Sequence, residues 1–562
     1  MTNLSFAIEC LDCGHQTSFS PLQTGCPNCG SVWRKAVYEY EAIGKALPKL
    51  IARRPYNIWR YRELLPVRNP NPDLCLNEGG TPLLRALNLG MILSHPNLYL
   101  KDERQGPTAS FKDRQAAVTI TALKEAGIAE AVIASTGNVA IAYSAYAARA
   151  GIKLWAFLTS LVPAAKMREV ALYGTQVIKV TGSYDQAKQV AAEFARQRGL
   201  YLDAGAKSIT SVESMKTIAF EIAEQFTAQR GNSLQSLEGL STLPWKTPDW
   251  YIQSVSGGMG PLGVYKGFEE LYRMGIIERI PKIAVIQVEG CAPMVHAWRQ
   301  GLEDATPVRS PHTLIATLAT GDPGRTYTLL RKQILQTGGT FEMVSDQEAF
   351  RAMHFLAKME GLSIEPAAGV AVAGLIKLVR AGQIAPDESV VINVSGHTMP
   401  IERNILGEGW SKDVILPSEQ MEESTEEGLL AALSKVAIDR FPRIAIVDDN
   451  PDVRRLIRRI LQSQGDYELF EAANGVEAIE LIRSRRPNLV ILDLMMPEMD
   501  GFAVMEALKA SPDTAEIPII VITAKELSPG EKERLRGHIQ TLMQKGDFMS
   551  EDLLDEVRAF LK

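Results

Sequence analysis

The sequence predicts an α/β protein with parallel β-sheets, built from three structured regions. Between residues 41 and 410, short apolar runs such as AVIAS, KLWAFLT and SVVINV alternate with longer helical stretches, which is typical of buried parallel strands in βαβ units. A second alternation with five β-like runs begins at Ile444 and continues to the end of the sequence. Before both, residues 1–40 hold four of the six cysteines. With roughly 100–200 residues per domain, 562 residues predict about three or four domains.

The composition excludes several classes of protein. Lys and Arg number 60 and Asp and Glu 66, so the net charge is −6; a general nucleic-acid binder needs a basic excess instead. No apolar run approaches the roughly 18 residues of a membrane span, and the start, MTNLSFAIECLDCG, lacks the pattern of a signal peptide. We therefore expect a cytoplasmic protein that binds neither nucleic acid nor a membrane.

The stretch 413–441 differs in composition from the regions on either side. It is acidic at first (SEQMEESTEEG), then amphipathic (LLAALSKVAI), and it ends before Pro442. Such a segment is typical of a tether with one short helix. We therefore predict a linker here, between a middle region at 41–412 and a C-terminal domain at 442–562.

The N-terminal cysteines have the spacing of a zinc ribbon. In each Cys-x2-Cys pair two thiolates face one ion, and four thiolates close a tetrahedral structural site. The alternatives are a turn that no longer binds metal and a redox pair, and no βαβ pattern surrounds either pair to favour the latter. We predict a zinc ribbon over residues 1–40 that binds structural Zn²⁺ through Cys10, Cys13, Cys26 and Cys29.

Four separated segments of the middle region carry residues suited to an anionic cofactor. GPTASFKDR (106–114) places Lys112 in a turn that enters a helix, where a desolvated amine can form a Schiff base. ASTGN (134–138) and SVSGGMG (254–260) each join a strand to a helix, so backbone N–H groups can bind phosphate there. VINVSGHT (391–398) places Ser395 at the end of a late strand. Each segment alone has an ordinary explanation, a surface lysine or a tight βα turn.

In this order the four segments resemble the threonine synthase group of fold-type II pyridoxal-phosphate enzymes. NEGGTPLLRA (77–86) and EPAAGVAVAGL (365–375) are similar to two further motifs of that group, and a zinc-ribbon-like start also occurs in it. The resemblance covers most of residues 41–412. It implies a two-domain fold with parallel sheets, pyridoxal 5'-phosphate as cofactor, an amino-acid substrate (phosphorylated or not), and a homodimer.

The resemblance also implies roles for individual residues. Lys112 would hold the cofactor as a Schiff base and transfer protons, and Asn138 would bond the phenolic oxygen of the cofactor. Ser135 and Thr136 would receive the substrate carboxylate. Ser395 would face the pyridine nitrogen, and a hydroxyl there suits elimination and replacement chemistry more than transamination. The cofactor phosphate would be bound by Gly257, Gly258, Met259 and Gly260.

The reaction stays open at this stage, because the sequence departs from the pattern of threonine synthases that act on O-phosphohomoserine. Those enzymes have a second phosphate site with an arginine, but no arginine lies between Asp203 and Phe220, where Lys207 and hydroxyl side chains are the substitutes. The candidates are threonine synthesis, a β-replacement resembling that of cysteate synthase, and an ammonia-lyase reaction. A non-catalytic sensor of cofactor and amino acid, coupled to a phosphorelay, is a further alternative.

Residues 442–562 resemble a response-regulator receiver domain, which implies a (βα)5 fold. Asp448 and Asp449 follow the first predicted strand and Asp493 follows the third. Because the carboxyl ends of parallel strands lie at one edge of a sheet, we expect these carboxylates to gather there. Carboxylates and water suit Mg²⁺, so we predict a magnesium site at this edge.

The same resemblance implies phosphorylation. Asp493 would accept a phosphoryl group from a cognate histidine kinase or phosphotransfer protein, with the metal offsetting the negative charge. Thr523 would bond the phosphoryl group and Lys545 would be its cationic partner. The alternative is a docking module that keeps these residues and is never phosphorylated.

Overall fold

The structure is a computed structural model, and it divides into two compact units. The larger unit carries three β-sheets and the smaller unit a fourth. The predicted linker at 413–441 lies outside the described residues. The structure describes residues 6–135, 137–159, 162–181, 184–230, 243–396, 442–464, 467–523, 527–535, 537–544, 553, 556–557 and 559–561.

Strands and helices alternate along most of the described chain. The strands are β1 Ala7–Cys10, β2 Gln16–Thr17, β3 Arg34–Val37, β4 Leu83–Arg85, β5 Leu98–Asp102, β6 Glu130–Ser135, β7 Lys153–Thr159, β8 Gln176–Val180, β9 Tyr201–Asp203, β10 Trp250–Ser254, β11 Lys282–Val288, β12 Thr340–Val344, β13 Val390–Val394, β14 Arg443–Val447, β15 Glu468–Ala472, β16 Leu489–Leu492, β17 Ile519–Thr523 and β18 Thr541–Gln544. The helices are α1 Tyr40–Ile51, α2 Leu87–Ile92, α3 Lys112–Glu125, α4 Asn138–Ala150, α5 Ala164–Leu172, α6 Tyr184–Arg198, α7 Ile209–Arg230, α8 Met259–Arg273, α9 Pro293–Arg299, α10 Arg325–Thr337, α11 Asp346–Glu360, α12 Pro366–Arg380, α13 Pro451–Gln464, α14 Gly475–Arg485, α15 Gly501–Lys509 and α16 Pro529–Leu535. None of the helices in these ranges is both long enough and apolar enough to cross a membrane.

The N-terminal ribbon, defined here as residues 6–37, is a small antiparallel sheet with strand order β2-β1-β3. Its first cysteine ends β1, where Cys10 pairs in register with Arg34. Ile8 and Ala36 face the core of the larger unit and are almost fully buried. The ribbon is therefore packed onto the rest of this unit through one apolar face.

Two parallel sheets form the body of the larger unit. One has the order β12-β11-β10-β13-β5-β4 and is parallel except for β4, and the other, β8-β7-β6-β9, is parallel throughout. All five residues of β5 and of β13 are buried, as expected for strands covered by helices on both faces. The predicted α/β class with parallel sheets is confirmed.

Helices α7 and α8 pack closely in the core, and α8 begins at the predicted glycine loop. Small residues make this approach possible. A Cβ atom at Gly263 would collide with the carbonyl oxygen of Val212, and one at Gly267 would lie 2.7 Å from the carbonyl oxygen of Lys216. The start of α8 is thus fixed by a tightly packed pair of helices.

The smaller unit contains a five-stranded parallel sheet with the order β15-β14-β16-β17-β18. Successive side chains of β14 face opposite sides, with Ala445 and Val447 in one apolar core and Ile444 and Ile446 in the other. Each face is covered, so the strands read as continuous apolar runs. The predicted (βα)5 sheet is confirmed.

Candidate active site

A cavity of about 580 Å³ in the larger unit brings the four predicted segments together. Its wall includes residues that follow the carboxyl ends of β6, β10 and β13, the edge where open parallel sheets place ligands. The volume lies within the usual range for small-molecule and cofactor sites. Of the residues predicted to bind cofactor, those on the wall are Lys112, Asn138, Gly257, Gly258, Met259, Gly260 and Ser395.

The turn before Lys112 is shaped by its own side chains. The carboxylate of Asp113 accepts hydrogen bonds from the backbone N–H of Thr108 at 3.0 Å and from its hydroxyl at 2.6 Å. A Cβ atom at position 106 would lie 2.5 Å from Asp113 Oδ2, so only Gly106 admits this arrangement. The carboxylate thus folds the turn back onto the first residues of α3.

A second set of contacts fixes this turn against the end of β13. The backbone N–H of Phe111 donates to Ser395 Oγ at 3.3 Å, and that of Gly396 donates to the carbonyl oxygen of Ala109 at 2.9 Å. Ala109 has a φ of +56°, which an alanine adopts only when its surroundings impose it. The predicted lysine and serine segments, far apart in the chain, are therefore neighbours at the cavity.

Lys112 is the first residue of α3 and faces the cavity with a partly exposed side chain. Its Nζ lies 3.8 Å from the centroid of the Phe111 ring, and no carboxylate of the described residues forms an ion pair with it. Burial lowers the pKa of Lys112 to about 8, and the carboxylates of Glu365 and Asp203 partly oppose this by raising it. A fraction of this amine is thus neutral near pH 7, which a nucleophilic or basic lysine requires.

Asn138 is held by two charged side chains, Glu365 and Lys166, for which the sequence predicted no role. Its Nδ2 donates to both carboxylate oxygens of Glu365 at 2.9 Å, and its Oδ1 accepts from Lys166 Nζ. Lys166 Nζ also lies 3.6 Å from Glu365 Oε2, and both charged side chains are buried. Glu365 precedes the proline that opens α12 within a recognised motif, whereas no pattern distinguishes Lys166. The three side chains fix the orientation of the Asn138 amide.

The glycine loop after β10 forms an anion-binding surface. Gly258 has a φ of +86°, and a Cβ atom there would lie 2.7 Å from Leu330 Cδ1. At Gly257 a Cβ atom would meet nothing nearer than Thr320 Cγ2 at 3.8 Å, because this side of the backbone faces the cavity. The first N–H groups of α8, which lack intrahelical partners, begin here. The loop therefore suits a phosphate group.

The cavity also contains an unsatisfied amide. Asn393 lies on the wall with its side chain close to the Tyr251 hydroxyl, but its buried Nδ2 forms no hydrogen bond of normal geometry with the described residues. A buried donor without a partner is costly unless a ligand supplies one. With the glycine loop and the neutralisable amine of Lys112, this donor fits a cofactor that carries a phosphate, a carbonyl group and further acceptors, as pyridoxal phosphate does.

The two residues predicted to receive the substrate carboxylate are not both placed. Ser135 ends β6 and is buried, and its Oγ accepts from the backbone N–H of Gly137 at 3.0 Å and of Ala140 at 3.1 Å. It organises the turn into α4 and is not on the described cavity wall. Thr136 lies outside the described residues. The substrate contacts of Ser135 and Thr136 stay predictions.

The four predicted cysteine ligands lie together in the ribbon. Their Sγ atoms are all within 4.8 Å of one another, with 3.5 Å between Cys10 and Cys29 and 3.6 Å between Cys13 and Cys26. A tetrahedral zinc ion with Zn–S bonds of about 2.3 Å requires sulfur atoms about 3.8 Å apart. The cluster fits a four-thiolate zinc site.

The smaller unit gathers the predicted carboxylates at one edge of its sheet. Oxygen atoms of Asp448, Asp449 and Asp493 lie within 4.8 Å of one another, with Asp449 exposed and the other two buried. Thr523 ends β17 and is fully buried. Lys545 lies outside the described residues, so its contact with a phosphoryl group stays a prediction. Three hard oxygen donors, one of them open to water, fit Mg²⁺.

The geometry agrees with what the chain is similar to. Residues 74–396 match the family described as pyridoxal-phosphate dependent enzyme, and residues 444–558 match the response regulator receiver domain. The threonine synthase of Methanocaldococcus jannaschii is 35% identical over 393 residues, which cover 69% of this chain and 91% of that protein. The threonine synthase of Methanosarcina acetivorans is 33% identical over 405 residues, covering 71% and 94%.

Among solved structures, the processed form of threonine deaminase isoform 2 from Solanum lycopersicum is similar, with 20% identity and a TM-score of 0.46. The match covers 57% of this chain and 85% of that one. The family match spans more than half of the chain and contains the segments from which the cavity was predicted, apart from the last two residues of 391–398. The chain therefore belongs to the pyridoxal-phosphate-dependent enzymes, as a threonine synthase-like lyase fused to a response-regulator receiver domain.

Proposed function

We propose that the enzyme converts O-phosphohomoserine and water to threonine and phosphate. The observation that carries this proposal is that the cavity holding Lys112 is also lined by three further cations, Lys188, Lys207 and Arg325. A cofactor phosphate at the glycine loop does not require them. Lys188 and Arg325 each pair with one carboxylate, Asp185 and Asp12, and the cationic wall that they form with Lys207 suits a second phosphate, on the substrate. The threonine synthases that are similar to this chain over more than 90% of their length support the same reaction.

Different residues of the cavity would bind the cofactor, orient it and transfer protons. Pyridoxal phosphate, when bound, supplies an electron sink for negative charge at the substrate α-carbon. Lys112 would hold the cofactor and move protons, helped by a pKa of about 8. The N–H groups from Gly257 to Gly260 would bind the cofactor phosphate, and Ser395 would face the ring nitrogen. Glu365 would keep the Asn138 amide aimed at the cofactor.

Attachment of the cofactor to the apoprotein should depend on pH through Lys112. Only the neutral amine reacts, so the rate should rise through about pH 8 and level off above it. The Glu365 carboxylate raises the pKa of Lys112, so Glu365→Gln should move the midpoint to lower pH. The measurement is the rate of the visible absorbance change after adding pyridoxal phosphate between pH 6 and 10.

Glu193→Gln, which alters an exposed carboxylate on α6, is the matched control and should leave the midpoint in place. A midpoint near 10.5, the ordinary value for lysine, would contradict the environment described for Lys112. A midpoint that Glu365→Gln moves to higher pH would contradict the proximity of the two charges.

The reaction is tested with a panel of substrates. The purified holoenzyme is given O-phosphohomoserine, O-phosphoserine, serine, threonine and 2,3-diaminopropionate, and phosphate, ammonia, keto acid and threonine are assayed. Threonine and phosphate in equal amounts from O-phosphohomoserine are the expected result. Binding of these compounds without turnover would instead favour the sensor function.

A second candidate is an ammonia-lyase or β-replacement reaction on another amino acid. The absence of an arginine between Asp203 and Phe220 favours it, because a bidentate guanidinium is the better phosphate ligand. In the same panel it would produce ammonia and keto acid from serine, threonine or diaminopropionate, or a replacement product from O-phosphoserine. No threonine would then form from O-phosphohomoserine.

We also propose that the ribbon binds structural zinc and that the receiver binds Mg²⁺. The sulfur spacings of the cysteine cluster and the three carboxylates of the receiver support these assignments. Zinc held by thiolates requires reduced cysteines, and all six are free, which supports a cytoplasmic location. Metal analysis of the purified protein, before and after dialysis against a chelator, tests both assignments.

We propose that a histidine kinase or phosphotransfer protein phosphorylates Asp493 and so regulates the enzyme. Acetyl phosphate with Mg²⁺ should label the wild type and fail to label Asp493→Asn, as measured by intact mass, and a chelator should abolish the label. Asp452→Asn, at an exposed aspartate of α13, is the control and should keep the label. A wild type that takes no label would favour a receiver that only mediates protein contacts.

A further inference from the structure

We infer that Arg325 binds the phosphate group of the substrate, and that Asp12 of the N-terminal ribbon is a positioning residue that holds Arg325 in the cavity. The inference rests on the proposed function, because it names the ligand of the second phosphate. It assigns the ribbon a part in substrate binding as well as its proposed metal.

Arg325 is placed at the cavity by the start of α10. It is the first residue of that helix and follows Gly324, whose φ is +51°. Both residues lie on the wall, as does Thr326, so the first turn of a thirteen-residue helix faces the cavity. The backbone N–H groups of Thr326 and Tyr327 already donate to the carbonyl oxygens of Pro323 and Gly324. An anion is therefore favoured here by the positive end of the helix dipole and by the full positive charge of Arg325.

The ribbon contacts Arg325 through two residues. Asp12 lies between Cys10 and Cys13, and its Oδ1 is 2.5 Å from a terminal guanidinium nitrogen of Arg325. The guanidinium carbon also lies 5.8 Å from the centroid of the Trp33 ring, and Trp33 is itself part of the cavity wall. A carboxylate and an aromatic ring of the ribbon thus fix one end and one side of the arginine.

The ion pair between Asp12 and Arg325 orients the guanidinium and contributes little to the stability of the fold. The side chain of Arg325 is 35% exposed and that of Asp12 is 38% exposed, so water screens their attraction. A guanidinium has five N–H donors, and the pairing with Asp12 leaves several of them available to a phosphate. An arginine already held in place loses less side-chain entropy when the ligand binds.

Arg325 can take the place of the arginine that threonine synthases have in their second phosphate site and that is absent between Asp203 and Phe220. It is the one arginine on the described cavity wall, and it belongs to α10 instead of the 203–220 segment, which has none. The other two cations are weaker candidates for a bidentate contact. Lys188 and Lys207 each present a point charge, whereas the guanidinium of Arg325 presents a fork of N–H donors that can bind two phosphate oxygens.

The test compares phosphorylated and unphosphorylated ligands on the holoenzyme. O-phosphohomoserine, O-phosphoserine and homoserine are titrated by calorimetry, and KM and kcat are measured for O-phosphohomoserine. Arg325→Ala should weaken both phosphorylated ligands about tenfold or more and leave homoserine within about twofold. Arg331→Ala, at another arginine of α10, which donates to the carbonyl oxygen of Gly301, is the control and should change neither.

Asp12 is tested through its dependence on Arg325. Asp12→Asn should weaken the phosphorylated ligands about threefold to tenfold with unchanged zinc content, and the double variant should be no weaker than Arg325→Ala alone. If metal analysis shows that Asp12→Asn has lost zinc, Asp12→Glu, which keeps the charge, takes its place in this comparison. Effects of Asp12 and Arg325 that simply add would overturn the positioning role.

The remaining outcomes separate this inference from the proposed function. An Arg325→Ala enzyme that weakens homoserine as much as O-phosphohomoserine, or weakens neither, overturns the inference while wild-type turnover of O-phosphohomoserine leaves the proposed function standing. A wild-type enzyme that neither binds nor converts the phosphorylated ligands overturns both together.

Discussion

Replacing Lys112 with alanine should lower kcat by about 1,000-fold or more and prevent covalent attachment of the cofactor. Lys112 lies on the cavity wall at the start of α3, next to Phe111, whose backbone N–H donates to Ser395 Oγ. Burial lowers the pKa of this amine to about 8. The measurements are turnover of O-phosphohomoserine and, after borohydride reduction, the mass of the peptide that carries the cofactor.

Lys124→Ala is the matched control, because Lys124 lies near the other end of α3 and outside the cavity wall. It should keep wild-type turnover and label. If the cofactor were recovered on a peptide containing Lys188 or Lys207, the other two lysines on the described cavity wall, the assignment of Lys112 would be wrong.

Replacing Glu221 with glutamine should destabilise the larger unit by about 3–5 kcal/mol, the usual cost of leaving a buried charge without its partner. Glu221 Oε2 lies 2.7 Å from Lys101 Nζ, and its Oε1 lies 2.6 Å from Arg114. Arg114 also pairs with Glu103 at 2.8 Å, and the four buried side chains together carry no net charge. Because Arg114 is two residues after Lys112, loss of the pair also loosens the start of α3.

Unfolding can be followed for this unit by tryptophan fluorescence, since six of the seven tryptophans precede residue 300 and residues 443–562 contain none. Glu193→Gln removes the charge of an exposed ion pair and should change the free energy of unfolding by no more than about 0.5 kcal/mol. A Glu221→Gln protein as stable as this control would show that the buried cluster contributes little.

The interactions of Glu221 with Arg114 and Lys101 also make the stability of the larger unit depend on pH. Burial raises the pKa of Glu221, but the charges of Arg114 and Lys101 outweigh it and lower the pKa from 4.5 to about 2. A carboxyl whose pKa is lower in the folded state stabilises the fold fully above its unfolded pKa, and the contribution is lost as the pH falls through the folded value. The wild type should therefore lose stability between about pH 4.5 and 2 more steeply than Glu221→Gln.

The residues that follow strands could be predicted from the sequence by itself. Ser395, the glycine loop and the receiver aspartates each come directly after a run of buried apolar residues. Parallel strands place such positions at one edge of a sheet whatever the details of packing. The cysteine cluster could also be predicted, because the spacing of each Cys-x2-Cys pair in the chain sets the geometry of its turn.

Contacts between distant helices and loops were decided only by the tertiary structure. Lys166 and Glu365 meet at Asn138 from two helix regions and a turn, and Asp12 meets Arg325 across more than 300 residues of sequence. A lone charged side chain has no periodicity, and nothing local distinguishes one that pairs in a cavity from one in water. Local patterns therefore determined the strands, the turns and the chemistry they carry, whereas long-range packing decided which charges hold those groups in place, because such pairing depends on distances that no spacing along the chain encodes.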